Sequence, residues 1–172
     1  MPFTPFHLGP ALFFGFLLLN YLDFPTFVLA NVILDIEPLL VLTFNLNFRA
    51  HGFFHSFLGG TLVAFLLVAV MSKVREHFSS LLSFFKIDRK TSFLRILIAS
   101  LSGVYLHILL DARMHQDIQP FYPLDINPFL NCSTVAGFDV YLFCIWCFIG
   151  AAIIYGVRLF LLWRKQEREC SH

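Results

Sequence analysis

The side chains in this sequence best suited to chemistry are His7, Asp35, Glu37, His51, His55, His107 and Asp111. His51 and His55 stand at i and i+4 in HGFFHS, and His107 and Asp111 stand at i and i+4 in HILLD. On a helix such a pair projects from one face. Two pairs facing each other, with a carboxylate from a third segment, are how helical bundles assemble metal sites. Imidazole and carboxylate ligands without thiolate suit zinc, manganese or iron. His115 and Asp117 follow closely, in a loop whose course the sequence leaves open, and stand as further candidates.

The elements that must position these groups are apolar. Hydrophobic residues make up 58% of the 172-residue chain, charged residues 13%, and Phe alone occurs 23 times. That leaves too little polar surface for a soluble fold, and a net charge of +1 gives no basic patch for nucleic acid. Apolar stretches at 8–22, 24–45, 53–72, 92–112 and 138–163 are continuous rather than alternating. They predict an all-α, polytopic membrane bundle forming a single domain over residues 1–172. The last three runs reach the length of a span. The first is about 22 Å long as a helix, and the second is interrupted by Asp35, Glu37 and Pro38. Proline cannot continue the ladder, so a helix from Pro25 is expected to end near Glu37. Residues 8–45 therefore read as a short hairpin that enters the bilayer and breaks beside two carboxylates.

Lys73, Arg75, Lys86, Arg89 and Lys90, with Arg164, Lys165 and Arg168 in the tail, mark the cytoplasmic side. The C-terminus is then cytoplasmic, and every histidine before the tail except His77 falls at the extracytoplasmic side of the cell membrane. Asp35, Glu37 and Asp111 gather there with only Arg49 and Arg113 near by. An unpaired carboxylate at membrane depth is costly, and one or two divalent cations would neutralise the set.

Other features are read more plainly. No signal peptide is expected, and no internal repeat is visible. SSLLSFF at 79–85 reads equally as a surface helix or a linker. Cys144 and Cys147 form a C-x2-C inside an apolar run and read as packing residues. Cys132 lies alone in the outer loop, within a short Asn131-Cys132-Ser133 glycosylation sequon. Gly59, Gly60 and Gly103 read as close helix contacts. The loop 113–136 reads as a cap over the site, shaping an entrance or tying two spans together.

Taken in order, TPFH ending at His7, LDIEP, HGFFHS and HILLD resemble the motifs of the YdjM-like family of membrane-bound metal-dependent hydrolases, over roughly residues 4–125. Two departures from that family's pattern are visible. The acidic pair ends in Glu37 rather than Asp, and Gly52 stands where the family often has Arg. The family in turn looks distantly like the zinc-dependent phospholipase C and nuclease group. That group's second H-x3-E or H-x3-D motif does not follow Asp111 here, so the resemblance implies one or two metal ions rather than three. It also implies a hydrolase, most simply a zinc enzyme, in which metal-activated water attacks a lipid or lipid-linked phosphoester reached laterally from the bilayer. The expected ligands are His7, Asp35, His51, His55, His107 and Asp111, with Glu37 as a bridging ligand or as the catalytic base. The alternative is a metal-binding membrane protein without turnover, a sensor or transporter. An intramembrane metalloprotease is disfavoured, since HExxH is absent. The sequence leaves oligomeric state, metal identity and substrate open.

Overall fold

In a computed structural model, residues 4–47, 51–131 and 137–170 are described. The expectations placed on Arg49 and on Cys132 with its sequon lie outside the described residues. Among the described residues the chain is helical without strands: α1 (Leu8–Leu17), α2 (Phe24–Ala30), α3 (Ile36–Thr43), α4 (Phe57–Val74), α5 (Ser79–Phe84), α6 (Phe93–Ala112) and α7 (Phe138–Cys170). Among the described residues, four stretches are long and apolar enough to cross a membrane: Phe24–Thr43, Phe57–Phe84, Phe93–Ala112 and Phe138–Glu169.

α6 is the central post. α4 packs along one side of it and α2 along another, while α1 lies between α2 and α7. The glycines set these distances. A Cβ at Gly60 would stand 2.6 Å from Ile108 Cδ1, and one at Gly103 would stand 2.5 Å from Ala30 Cβ. Small residues thus bring α4 and α2 close against α6, as expected in lipid, where close backbone approach replaces the hydrophobic drive. The core between α2, α4 and α6 is built from Ala30, Leu34, Ala64, Val68, Val104 and Ile108. Cys144 is also a packing residue, buried against Leu110 and Val140.

α1 carries the chain away from His7, and residues 19–23 turn it back. At that turn the Arg75 guanidinium donates to Asp23 at 2.5 Å and to Asp88 at 3.2 Å, while Arg95 donates to the Leu19 carbonyl at 3.2 Å. Asp23 also caps α2 by accepting from the Thr26 N–H at 3.3 Å. Arg75 is therefore a buried partner of the hairpin, not only a loop charge. Of the two readings of 79–85, the helix is found: α5 tucks Leu82 against Leu19 and Ile87.

Two local expectations need correction. α2 ends at Ala30, earlier than Pro38 implied, and a 3-10 turn over Ile33–Asp35 follows before α3 begins. Pro38 falls in the first turn of α3. There its missing N–H would have no helical partner anyway. The break belongs to Asn31, whose side chain folds back to donate to the Phe27 carbonyl at 2.8 Å. His51 and His55 do not share an α-helix either, because Ser56 caps α4 by accepting from Gly59 N–H at 3.0 Å. His55 closes a 3-10 turn and His51 precedes it.

Candidate metal centre

The predicted residues converge at one end of the bundle. His107 and Asp111 face inward from α6 as an i, i+4 pair, with His107 Nε2 3.3 Å from Asp111 Oδ2. His7, on the residue before α1, brings Nε2 to 2.9 Å from Asp111 Oδ1. Asp35, from the broken hairpin, places Oδ1 3.9 Å from His107 Nε2. His55 Nε2 lies 3.9 Å from Asp111 Oδ2. The rings form a chain of tilted and edge-on contacts: His7 to His107 at 4.3 Å, His107 to His55 at 5.5 Å and His55 to His51 at 4.9 Å between centroids. His7, His55, His107 and Asp111 are all buried.

The proton positions follow from what lies behind each ring. His107 Nδ1 faces the Asn31 carbonyl oxygen at 2.8 Å. His55 Nδ1 faces Glu37 Oε2 at 2.7 Å. His51 Nδ1 faces both Asp117 oxygens at 3.0 and 3.1 Å, and its backbone N–H donates to Asp117 at 3.2 Å. An acceptor at Nδ1 requires the proton there, which leaves Nε2 of a neutral ring as a lone pair. The Nε2 atoms of His55 and His107 lie beside Asp111 and Asp35, which are acceptors themselves. Nε2 of His55 and His107 and Oδ2 of Asp35 are buried without a hydrogen-bond partner. Facing acceptors repel unless a proton or a cation lies between them, and a buried polar atom without a partner costs about 1–3 kcal/mol. Among the described residues, the ion-pair partners of Asp35, Glu37 and Asp111 are all histidines. Arg113, which could have supplied a positive charge, is bound to Asp139 at 2.5 Å instead.

Three groups bring ligand atoms within 4.8 Å of one another: His7–Asp35–His107–Asp111, His51–His55–Asp111 and His51–His115–Asp117. The residues fit a metal in donor type, burial and unsatisfied valence. Asp111 belongs to the first two groups and links them. Glu37, expected at the metal or as the base, is in none of the three; its Oε2 is engaged by His55.

Asp117 and Asn31 are the residues that sequence reasoning underweighted. Asp117 lies 66 positions from the histidine it holds, in a loop without helical period, and Asn31 acts through its backbone oxygen. Burial pushes the His55 imidazole below the ordinary histidine value, against the opposing pull of Glu37. Burial, with His51 close by, also lowers His115. Burial would raise the Asp117 carboxyl, but its hydrogen bonds from His51 outweigh that and hold it low. All three shifts favour the deprotonated forms.

Residues 113–131 of the loop pack against the start of α4. Phe57 N–H donates to the Pro120 carbonyl at 2.9 Å, and the Phe121 and Phe129 rings pack around Phe57. Two cavities share His51 in their walls. One, of about 340 Å³, lies under the loop with Gln119 and Tyr122. The other, of about 710 Å³, starts at Asp35, Asp111 and His115 and continues between α2–α3 and α4.

A family model described as YdjM inner membrane protein matches residues 4–169, which extends through the last helix and beyond the motifs that carry the sequence resemblance. No curated protein and no solved structure matches, so the distant likeness to zinc-dependent phospholipases gains nothing from these comparisons.

Proposed function

The chain belongs to the YdjM inner membrane protein family, and from that membership and the site geometry we propose an integral-membrane, metal-dependent hydrolase whose substrate is a lipid or lipid-linked ester. The observation that carries the reading is the set of imidazoles whose Nδ1 protons are taken by Asn31, Glu37 and Asp117. Such outer partners orient ligand histidines and raise their basicity. His7, Asp35, His107 and Asp111 would hold one divalent ion, most simply zinc. His51 and His55 would hold a second, with Asp111 shared between the two. A bound ion of this kind supplies a water of lowered pKa and polarises a phosphoryl or carbonyl oxygen.

The chain's own residues do the rest. Glu37 and Asp117 fix ring orientation and tautomer, which makes Glu37 a positioning residue acting through His55. Burial of the ligands excludes bulk water from their carboxylates. The 340 Å³ cavity beneath the loop gives water a route to His51. The lipid class of substrate rests on a site that sits within a membrane protein and opens into an apolar cavity. The extracytoplasmic placement of this end rests on the basic residues clustered at the other.

Transport is disfavoured by the path below the cluster. There Ala64, Leu67, Val68, Met71 and Val104 offer no polar group to hold a passing ion, and the buried Ser100 hydroxyl is spent on the Ala64 carbonyl at 2.8 Å. The test is turnover of a panel of phospholipids, lipid-linked phosphoesters and carboxyl esters by reconstituted protein, with and without chelator. Metal-dependent hydrolysis that His107→Ala abolishes is expected. Stoichiometric metal with no hydrolysis across the panel would replace the enzyme with a sensor.

A further inference from the structure

The 710 Å³ cavity is larger than hydrolytic water requires and falls within the range of small-molecule sites. It exists because α2 stops at Ala30. Beyond that point a 3-10 turn still rests on α6 and buries Leu34 in the core, while α3 is set off from the bundle, its main neighbour being that same turn. Residues 36–42 therefore stand away from α4 instead of packing on it. Leu67, Val70, Met71 and Val74 follow i, i+3, i+4, i+7 spacing and line one wall; Val32, Ile33, Leu39 and Leu42 line the other. The rims at Leu39, Leu42 and Val70 are exposed, at 59%, 48% and 47%, while Leu67 and Met71 on the floor are at 5% and 1%. The polar lining is confined to one end, at Asp35, His51, Asp111 and His115.

We propose that this groove between α2–α3 and α4 seats one hydrocarbon chain of the substrate, entering sideways from the bilayer, with the ester bond held at the Asp35–Asp111 end. The inference rests on the hydrolase reading for what happens at that end. The groove itself stands on its shape and lining. Its opening lies along Phe24–Thr43 and Phe57–Phe84, two stretches apolar enough to be surrounded by lipid, so acyl chain is the medium at its mouth. The apolar floor runs parallel to α4 rather than toward the capping loop. That direction matches a chain lying along the bilayer normal and makes the loop cavity the water side rather than the lipid entrance. A soluble substrate would leave this wall of Leu, Ile, Val and Met without a partner, whereas a lipid chain fills it with the van der Waals contacts that drive association inside a bilayer.

The test uses the full chain in phosphatidylethanolamine–phosphatidylglycerol vesicles containing a trace of phosphatidylglycerol with a diazirine at the end of one acyl chain. Adducts are mapped by mass spectrometry after illumination. Bulk lipid reaches Leu62, Phe65 and Leu66, which are exposed. Adducts on Leu67, Met71 and Val74 require a chain inside the groove and are the expected result. Val70→Trp at the exposed rim should remove most of those adducts and leave the Leu66 adduct unchanged. Adducts confined to Leu62, Phe65 and Leu66, or groove adducts indifferent to Val70→Trp, would overturn the proposal. Turnover is followed on the same vesicles. Groove labelling without turnover supports the groove and sinks the hydrolase reading; turnover without groove labelling does the reverse.

Discussion

At the residue scale, the carboxylates behind His55 and His51 matter as much as the rings they hold. Glu37→Gln keeps size and removes charge, but an amide can donate to Nδ1 and so turn the tautomer around, directing the proton to Nε2. Metal affinity is expected to fall about 10–100-fold, the range for outer-shell partners of ligand histidines. Asp117→Asn should act in the same way through His51. Competition titration against a chromophoric chelator measures both, with circular dichroism as the folding control, and unchanged affinity in both variants would refute the orienting role. The cluster of candidate ligands was legible in the sequence because histidine and carboxylate are rare in so apolar a chain and because His107 and Asp111 keep helical spacing. Glu37 was harder to place. Proximity to Asp35 suggested a shared role, yet residues two apart across a helix start point different ways, and Glu37 turns to His55 while Asp35 turns to His107. Asn31 offers a backbone oxygen, which no side-chain pattern reveals.

At the scale of elements, the cluster depends on a hairpin too short to be held by its own helices. α1 has 10 residues and α2 has 7, below the length at which isolated helices are stable. The Asp23–Arg75 pair ties their turn to the end of α4, and both residues are buried, at 3% and 5% exposure. Arg75→Ala would leave Asp23 buried without its cation, at an expected cost of about 3–5 kcal/mol. Thermal unfolding in detergent should show a clear loss of stability. The double change Asp23→Asn, Arg75→Met should recover part of it, because no charge is then stranded. A single variant as stable as wild type would mean that the pair is incidental. Sequence reading found the elements because 20-residue apolar runs are strong signals, and it misjudged two boundaries for local reasons. Ser56 was available as an N-cap, so α4 begins after His55. Pro38 was read as a stop although a proline is equally at home in a first turn.

At the scale of the whole molecule, polar chemistry gathers at one end and basic charge at the other. From Arg95, beside the hairpin turn, to Asp111 is 16 residues of α6, about 24 Å. The positive-inside rule predicts that the basic end faces the cytoplasm. In a cysteine-free background, Leu124→Cys on the loop should react with an impermeant maleimide added outside spheroplasts. Lys90→Cys should react only after lysis. The opposite pattern would invert the assigned orientation and leave the site geometry untouched. A direction for the chain was open to prediction because only a few charges can mark sides. The groove was not, since it arises from where α2 stops relative to α4, a tertiary matter.

All of this presupposes that the buried lone pairs and carboxylates meet a metal ion rather than protons. Elemental analysis of the detergent-purified chain, compared with the His55→Ala, His107→Ala double variant, decides that. Stoichiometric transition metal, most simply zinc, is expected in the wild type, with most of it lost in a double variant that remains folded. A folded wild type that carries no stoichiometric transition metal, even after incubation with zinc, manganese or iron, would contradict the account.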